Sequence, residues 1–213
     1  RIKLMEVYAM SRWKRISLLI IFTLIFGIIA FFHESRLGKW IDNEVYEFIY
    51  SSESFITTTM FLGVTKIGEV WAMICLSLLL IAYLMLKRLN IEALFFAIAM
   101  SLSSTLNPLL KNIFDRERPT LLRLIDISGF SFPSGHAMGS AAFFGSTMYI
   151  ANRTMRGKSK AFMIGLSALF IIMISTSRVY LGVHYPTDII AGIIGGAFCV
   201  VLSSLILRHK LKI

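Results

Sequence analysis

Charge is scarce in this 213-residue chain: Asp, Glu, Lys and Arg make up 16% of it, against roughly 25% in soluble domains. Acids are the scarcer sign, 12 against 22 Lys and Arg, which leaves a net charge of +10. There are two cysteines, Cys75 and Cys199. Both fall inside apolar blocks, so they read as inert packing residues and say nothing about the redox compartment. Cysteine and histidine form no metal-type cluster, and the sequence calls for no metal and no cofactor. No internal repeat and no low-complexity tract interrupts the chain.

What is plentiful is apolar: 56% of the residues, gathered in long uninterrupted blocks. A chain of this length could build one soluble core, but half-buried alternation is missing, and unbroken blocks indicate a membrane. The expected fold class is an all-α integral membrane protein of a single domain, 1–213. Six transmembrane helices are predicted, near 16–33, 70–87, 91–110, 136–151, 161–177 and 188–207. The fourth and fifth are at the short end of what spans a bilayer. The first block is long enough to span, and no small-x-small cleavage pattern follows in Phe31-Phe32-His33-Glu34, so it reads as a retained helix rather than a leader.

The positive charge follows these spans. With the N-terminus inside, the inner side collects Arg1, Lys3, Arg12, Lys14, Arg15, Lys87 and Arg88, then Arg153, Arg156, Lys158, Lys160, Arg208, Lys210 and Lys212. The outer side keeps the fewer: Arg36, Lys39, Lys66, Lys111, Arg116, Arg118, Arg123 and Arg178. The positive-inside rule therefore puts both termini in the cytoplasm and accounts for most of a charge that would otherwise raise the question of nucleic acid.

Segment 34–69 reads as an outer connection. Ile41, Val45, Phe48 and Ile49 recur in it at helical spacing, with Asp42, Glu44 and Glu47 between them. This is the pattern of a short amphipathic helix on the outer surface, or equally of an ordinary solvated loop helix. Trp40 and Tyr50 are candidate interface anchors.

Two further outer connections, 111–135 and 178–187, hold most of the remaining polar chemistry and lie on one side of the membrane. Lys111, Arg118 and Arg178 are three cations near the outer surface. The two guanidinium forks suit phosphate oxygens and the lysine adds a point charge; taken singly, such residues equally bind lipid headgroups nonspecifically. Pro133-Ser134-Gly135-His136 sits where a helix should begin. Ser134 is a good N-cap, Gly135 admits a close approach, and free N–H groups there face an anion. As a tetrapeptide it needs no more than a helix start, but an ionisable His136 at a helix mouth asks for a use. His184 and Asp188 are four apart around Pro186, a good first helical residue. Asp188 suits the helix dipole, and it could also hold one imidazole nitrogen of His184 so that the other faces a substrate. Asp115 and Glu117 interleave with Arg116 and Arg118 and read as ion-pair partners or solvated groups. Asn107, beside Pro108, reads first as an interhelical hydrogen bond.

Lys111-x6-Arg118-Pro119, Pro133-Ser134-Gly135-His136 and Ser177-Arg178-x5-His184-x3-Asp188 are complete, in order and on one face. Together they resemble the three-motif signature of the type 2 phosphatidic acid phosphatase family, and the six-span layout resembles its bacterial membrane members. The resemblance implies a metal-independent lipid phosphatase. His184 would attack phosphorus and form a phosphohistidine, with Asp188 orienting it. His136 would protonate the leaving lipid oxygen. Lys111, Arg118 and Arg178 would bind the phosphoryl oxygens, with Ser134 and the Gly135 N–H. The implied partners are a lipid phosphate and membrane lipids, with no nucleic acid. The implied substrates are phosphatidylglycerophosphate, which is favoured, and undecaprenyl pyrophosphate, phosphatidic acid and diacylglycerol pyrophosphate. The same type of site resembles the vanadate pocket of certain haloperoxidases, so vanadate is expected to inhibit. A transporter fits less well, because the polar residues gather at one mouth rather than along a path, and a silent lipid-binding homologue would have little use for complete motifs.

Overall fold

The computed structural model describes residues 10–120 and 123–208. Among these residues the chain is all helical: α1 (Arg12–Phe32), α2 (Arg36–Tyr50), α3 (Phe55–Ile67), α4 (Val70–Leu86), α5 (Asn90–Phe114), α6 (Gly135–Thr154), α7 (Gly157–Tyr180) and α8 (Pro186–Ile206). The predicted spans fall on α1, α4, α5, α6, α7 and α8, most of them longer than the sequence patterns indicated. Of the positive-inside residues, Arg1, Lys3, Lys210 and Lys212 lie outside the described residues.

The packing is inverted relative to a soluble protein. Ile20, Leu24, Ile28 and Phe31 on α1 are exposed, as suits side chains that face hydrocarbon. At the centre lies α6, against α5, α7 and α8, with Ala137, Met138, Ser140, Ala141 and Ala142 buried. Small residues allow this closeness. A Cβ added to Gly192 of α8 would lie 2.7 Å from the Ser134 carbonyl oxygen and 2.9 Å from Ala137 Cβ; one added to Gly196 would lie 2.5 Å from the Met138 carbonyl oxygen.

Among the described residues four helices, α1, α5, α7 and α8, are long and apolar enough to cross a membrane, and the bent pair α3 and α4 makes a fifth if counted as one span. The protein is thus a helical membrane protein. Helix α6 does not pass that test, for a physical reason: it is wrapped by other helices and carries glycine, serine and His136 where a lipid-facing helix would carry leucine.

The segment 34–69 contains two helices where one was expected. Helix α2 encloses the anticipated Ile41–Ile49 pattern, but α3 follows it and joins α4 across Gly68–Glu69 at a bend of 55°. On α2, Phe48 is 79% exposed while Asp42 is 1% exposed. Phe48 faces outward, Ile49 packs against the buried cluster of Phe61, Tyr180, Leu181 and Val183, and one acid points into the protein.

Candidate active site

The polar residues of the connections 111–135 and 178–187 meet at one end of the bundle. The last turns of α5 and α7 supply Lys111 and Arg178, the segment 115–134 supplies Arg118, the start of α6 supplies Gly135 and His136, and the 181–185 turn supplies His184. These six line a cleft of about 490 Å³. Asp188, in the first turn of α8, lies fully buried behind His184 rather than on the cleft wall. Ser134 is also fully buried. Its hydroxyl accepts from the Ala137 N–H at 3.4 Å as the cap of α6, and its own N–H donates to the Asp188 carbonyl at 3.1 Å. The structure therefore brings seven of the eight expected residues to the cleft or directly behind it, and gives Ser134 the duty of a helix cap.

The tautomer of His184 follows from its neighbours. Arg118 Nη1 lies 3.1 Å from His184 Nε2. A guanidinium donates only, so Nε2 must carry the lone pair and Nδ1 the proton. Nδ1 faces Asp188 Oδ2 at 3.3 Å and Ser131 Oγ at 3.2 Å. Ser131 Oγ in turn donates to Asp188 Oδ2, which also accepts from the Tyr185 N–H at 2.9 Å. Burial pushes the His184 imidazole down to about 4, further lowered by Arg118 and Lys111 and opposed by Asp188. The ring is thus neutral at pH 7, with its unprotonated Nε2 at the cleft, where it accepts from Arg118.

The cations are held in place by the protein. Arg118 Nε donates to the Gly129 carbonyl at 2.8 Å and Nη1 to the Val183 carbonyl at 2.9 Å; burial lowers its pKa. Lys111 Nζ donates to the Phe130 carbonyl. Arg178 Nη1 donates to Thr65 Oγ1 on α3 at 2.6 Å. His136 Nε2 lies 3.6 Å from Glu69 Oε1 at the α3–α4 bend. Gly68 makes room there, since a Cβ on it would come within 2.7 Å of His136 Cδ2. Asn107 Nδ2 donates to the Pro133 carbonyl at 3.2 Å and so ties α5 to the entrance of α6.

Sequence reasoning missed Arg116, Asp42, Ser131, Thr65 and Glu69. Arg116 pairs with neither neighbouring acid. Nη1 donates to Asp188 Oδ1 at 2.7 Å and Nη2 to Asp42 Oδ2 at 2.8 Å. Only Arg116 carried a signal in the sequence, as a charge two residues before Arg118; its partners lie 72 and 74 residues away.

A membrane fold that is all helical among the described residues, and whose connections bring three cations and two histidines to one cleft, defines a membrane protein with an anion-handling site. The chain belongs to the PAP2 superfamily, whose model matches residues 92–211 and so takes in every motif position. It is 30% identical over 132 residues to phosphatidylglycerophosphatase B of Bacillus subtilis, covering 61% of this chain and 65% of that one, so the match spans just under two thirds of that relative. It is 26% identical to the undecaprenyl-diphosphatase of Sulfolobus acidocaldarius over 90% of this chain and 88% of that one. Among solved structures, a transmembrane PAP2 type phosphatidylglycerolphosphate phosphatase from Bacillus subtilis superposes with a TM-score of 0.82, at 24% identity, over 91% of this chain and 97% of that one. LpxE of Aquifex aeolicus superposes at 0.62, with 23% identity, over 75% of this chain and 92% of that one. At these identities the structural likeness concerns the fold.

Proposed function

We propose that this chain is a lipid phosphatase that works through a phosphohistidine. The observation that carries the reading is the imidazole of His184, its proton held toward Asp188 and its unprotonated Nε2 beside Arg118 at a cleft walled by Lys111, Arg118 and Arg178. Nε2 attacks phosphorus, the P–O bond to the lipid breaks, and His136 gives its proton to the departing oxygen. Water then attacks the phosphohistidine and gives a proton back to His136, the N–P bond breaks with its electron pair returning to Nε2, and inorganic phosphate leaves. Through both steps the three cations and the Gly135 N–H at the α6 terminus balance the charge on the phosphoryl oxygens. Ser134 serves by capping that terminus.

In the membrane, α6 counts as a sixth span. Its polar surface is covered by the surrounding helices, so a low hydropathy does not bar it from the bilayer. The lysine and arginine balance supports both termini in the cytoplasm and the cleft at the outer face. A cleft so placed receives a headgroup while the acyl or isoprenoid chains stay in lipid. Residues 1–213 act as one PAP2-like unit. Phosphatidylglycerophosphate is the favoured substrate, on the relative matched at 30% identity. Undecaprenyl pyrophosphate is the second, on the relative matched over 88% of its length.

Phosphate release by the detergent-purified protein in EDTA, with both lipids offered side by side, tests the reading. Release is expected, and the ratio of rates ranks the substrates. No release from either lipid by folded protein contradicts the proposal.

A further inference from the structure

Arg116 belongs to none of the three motifs, yet it is 6% exposed and lies between two buried carboxylates, Asp42 at 1% and Asp188 at 0%. Its Nη1 also donates to Thr187 Oγ1 at 2.8 Å, and its guanidinium lies 3.9 Å from the centre of the Tyr185 ring. Asp42 is fixed in turn. Oδ1 accepts from the Thr187 N–H and Oδ2 from the Thr187 hydroxyl, both at 2.9 Å. Burial raises the Asp42 pKa, and the Arg116 and Thr187 hydrogen bonds oppose that rise. A bridge thus runs from the surface helix α2 through Arg116 to the first turn of α8.

Burying three ions carries a desolvation cost that their attraction only partly repays, so such a bridge is a weak device for stability alone. What it does geometrically is specific. A carboxylate turns easily about its last torsion, which has a broad two-fold profile. With Oδ1 of Asp188 held by Arg116, Oδ2 is left to the Tyr185 N–H, Ser131 Oγ and His184 Nδ1. The ring then presents Nε2 to the cleft.

We infer that Arg116 is a positioning residue: anchored by Asp42 of α2, it sets the rotation of Asp188 and so aims His184 at phosphorus. The inference rests on the reading of His184 as nucleophile. It extends the machinery to α2, a helix outside the matched residues 92–211. A second cleft, of about 400 Å³ and bordered by Asp42, Arg116 and Tyr185, lies against the bridge. It offers a small cation a way to the place that Arg116 would vacate.

The test uses the full chain in detergent, with a short-chain phosphatidic acid as substrate. Misaimed nucleophiles cost on the order of 100-fold, so R116A is expected to lower kcat by about that factor with KM changed by less than about threefold. Added guanidinium, at millimolar and non-denaturing levels, should restore at least about tenfold of that loss in R116A, while urea restores none and the unaltered protein does not respond. D42N, which keeps the side-chain volume, should lower kcat by about tenfold, and the double variant should be no worse than R116A alone. A merely structural salt bridge would lower the melting temperature and the active fraction but would not give rescue selective for guanidinium over urea. A kcat of folded R116A within about threefold of the unaltered protein, or a loss carried by KM, overturns the inference. Should R116A lose its cooperative melt, D42N decides, and an unchanged kcat there overturns it. An unaltered protein that releases no phosphate sinks the phosphatase reading itself, whereas one that needs His184 but not Arg116 sinks only the bridge.

Discussion

His184 sits between a carboxylate that holds its proton and a guanidinium that faces its lone pair. That setting has a consequence for pH. A free imidazole titrates near 6.5, whereas burial takes His184 to about 4. Protonation removes the attacking lone pair, so activity requires a pH above the folded value. The acid limb of kcat/KM that reports His184 is therefore expected near pH 4; loss of the nucleophile's lone pair already at about 6.5 would contradict the neutral, buried setting. His136 makes a different prediction. If it protonates the leaving oxygen, its removal matters only where the leaving group needs a proton. H136A should slow hydrolysis of a lipid phosphate by about 100-fold to 10,000-fold and that of 4-nitrophenyl phosphate far less. Equal losses on both would remove His136 from the acid role. The motif residues were legible in the sequence because their chemistry fixes both residue type and local spacing. Arg116 and Asp42 were not, because an ion pair 74 residues apart in sequence leaves no local pattern, and Asp42 sits in a helix whose other acids, Glu44 and Glu47, are exposed.

The six longest apolar blocks announced themselves as helices, since an unbroken run of that length has few other forms. Helix α3 did not. Its Thr57-Thr58-Thr59 run, close behind Ser51, Ser52 and Ser54, reads as a polar connection. In the structure the hydroxyls are used locally or against α7: Thr59 Oγ1 donates to the Phe55 carbonyl at 2.8 Å, and Thr58 Oγ1 bonds Tyr180 Oη at 2.6 Å. Nor could the sequence say that α6 is the central helix. Its glycines and serines look like weak membrane signal until α8 is laid against them. The closeness of that pair predicts a sensitivity. Overpacking of this kind costs about 1–3 kcal/mol, so G196V should lower the detergent melting temperature by several degrees. G27V, on α1 where an added Cβ meets nothing within 4 Å, should leave it unchanged. An unchanged melt in G196V would contradict the tight α6–α8 contact.

For the whole molecule, the proposal is that a bundle held in lipid gathers its charged chemistry at one end, outside. In a cysteine-free background, S52C between α2 and α3 should react with a membrane-impermeant maleimide added to intact cells. R156C between α6 and α7 should react only after the cells are opened. The reverse pattern would invert the topology and move the cleft to the cytoplasm. At this scale the sequence carried the class of protein, while the bend at Gly68–Glu69 and the burial of Asp42 on α2 arise from tertiary packing.

The most direct measurement is the capture of the covalent intermediate. Protein mixed with a lipid labelled in its phosphate and quenched in alkali within milliseconds should hold label on His184, stable to base and lost in acid. The label should be absent from H184A and should persist longer where water attack is slowed. Label found on another residue, or phosphate release by H184A at the rate of the unaltered protein, would contradict the account.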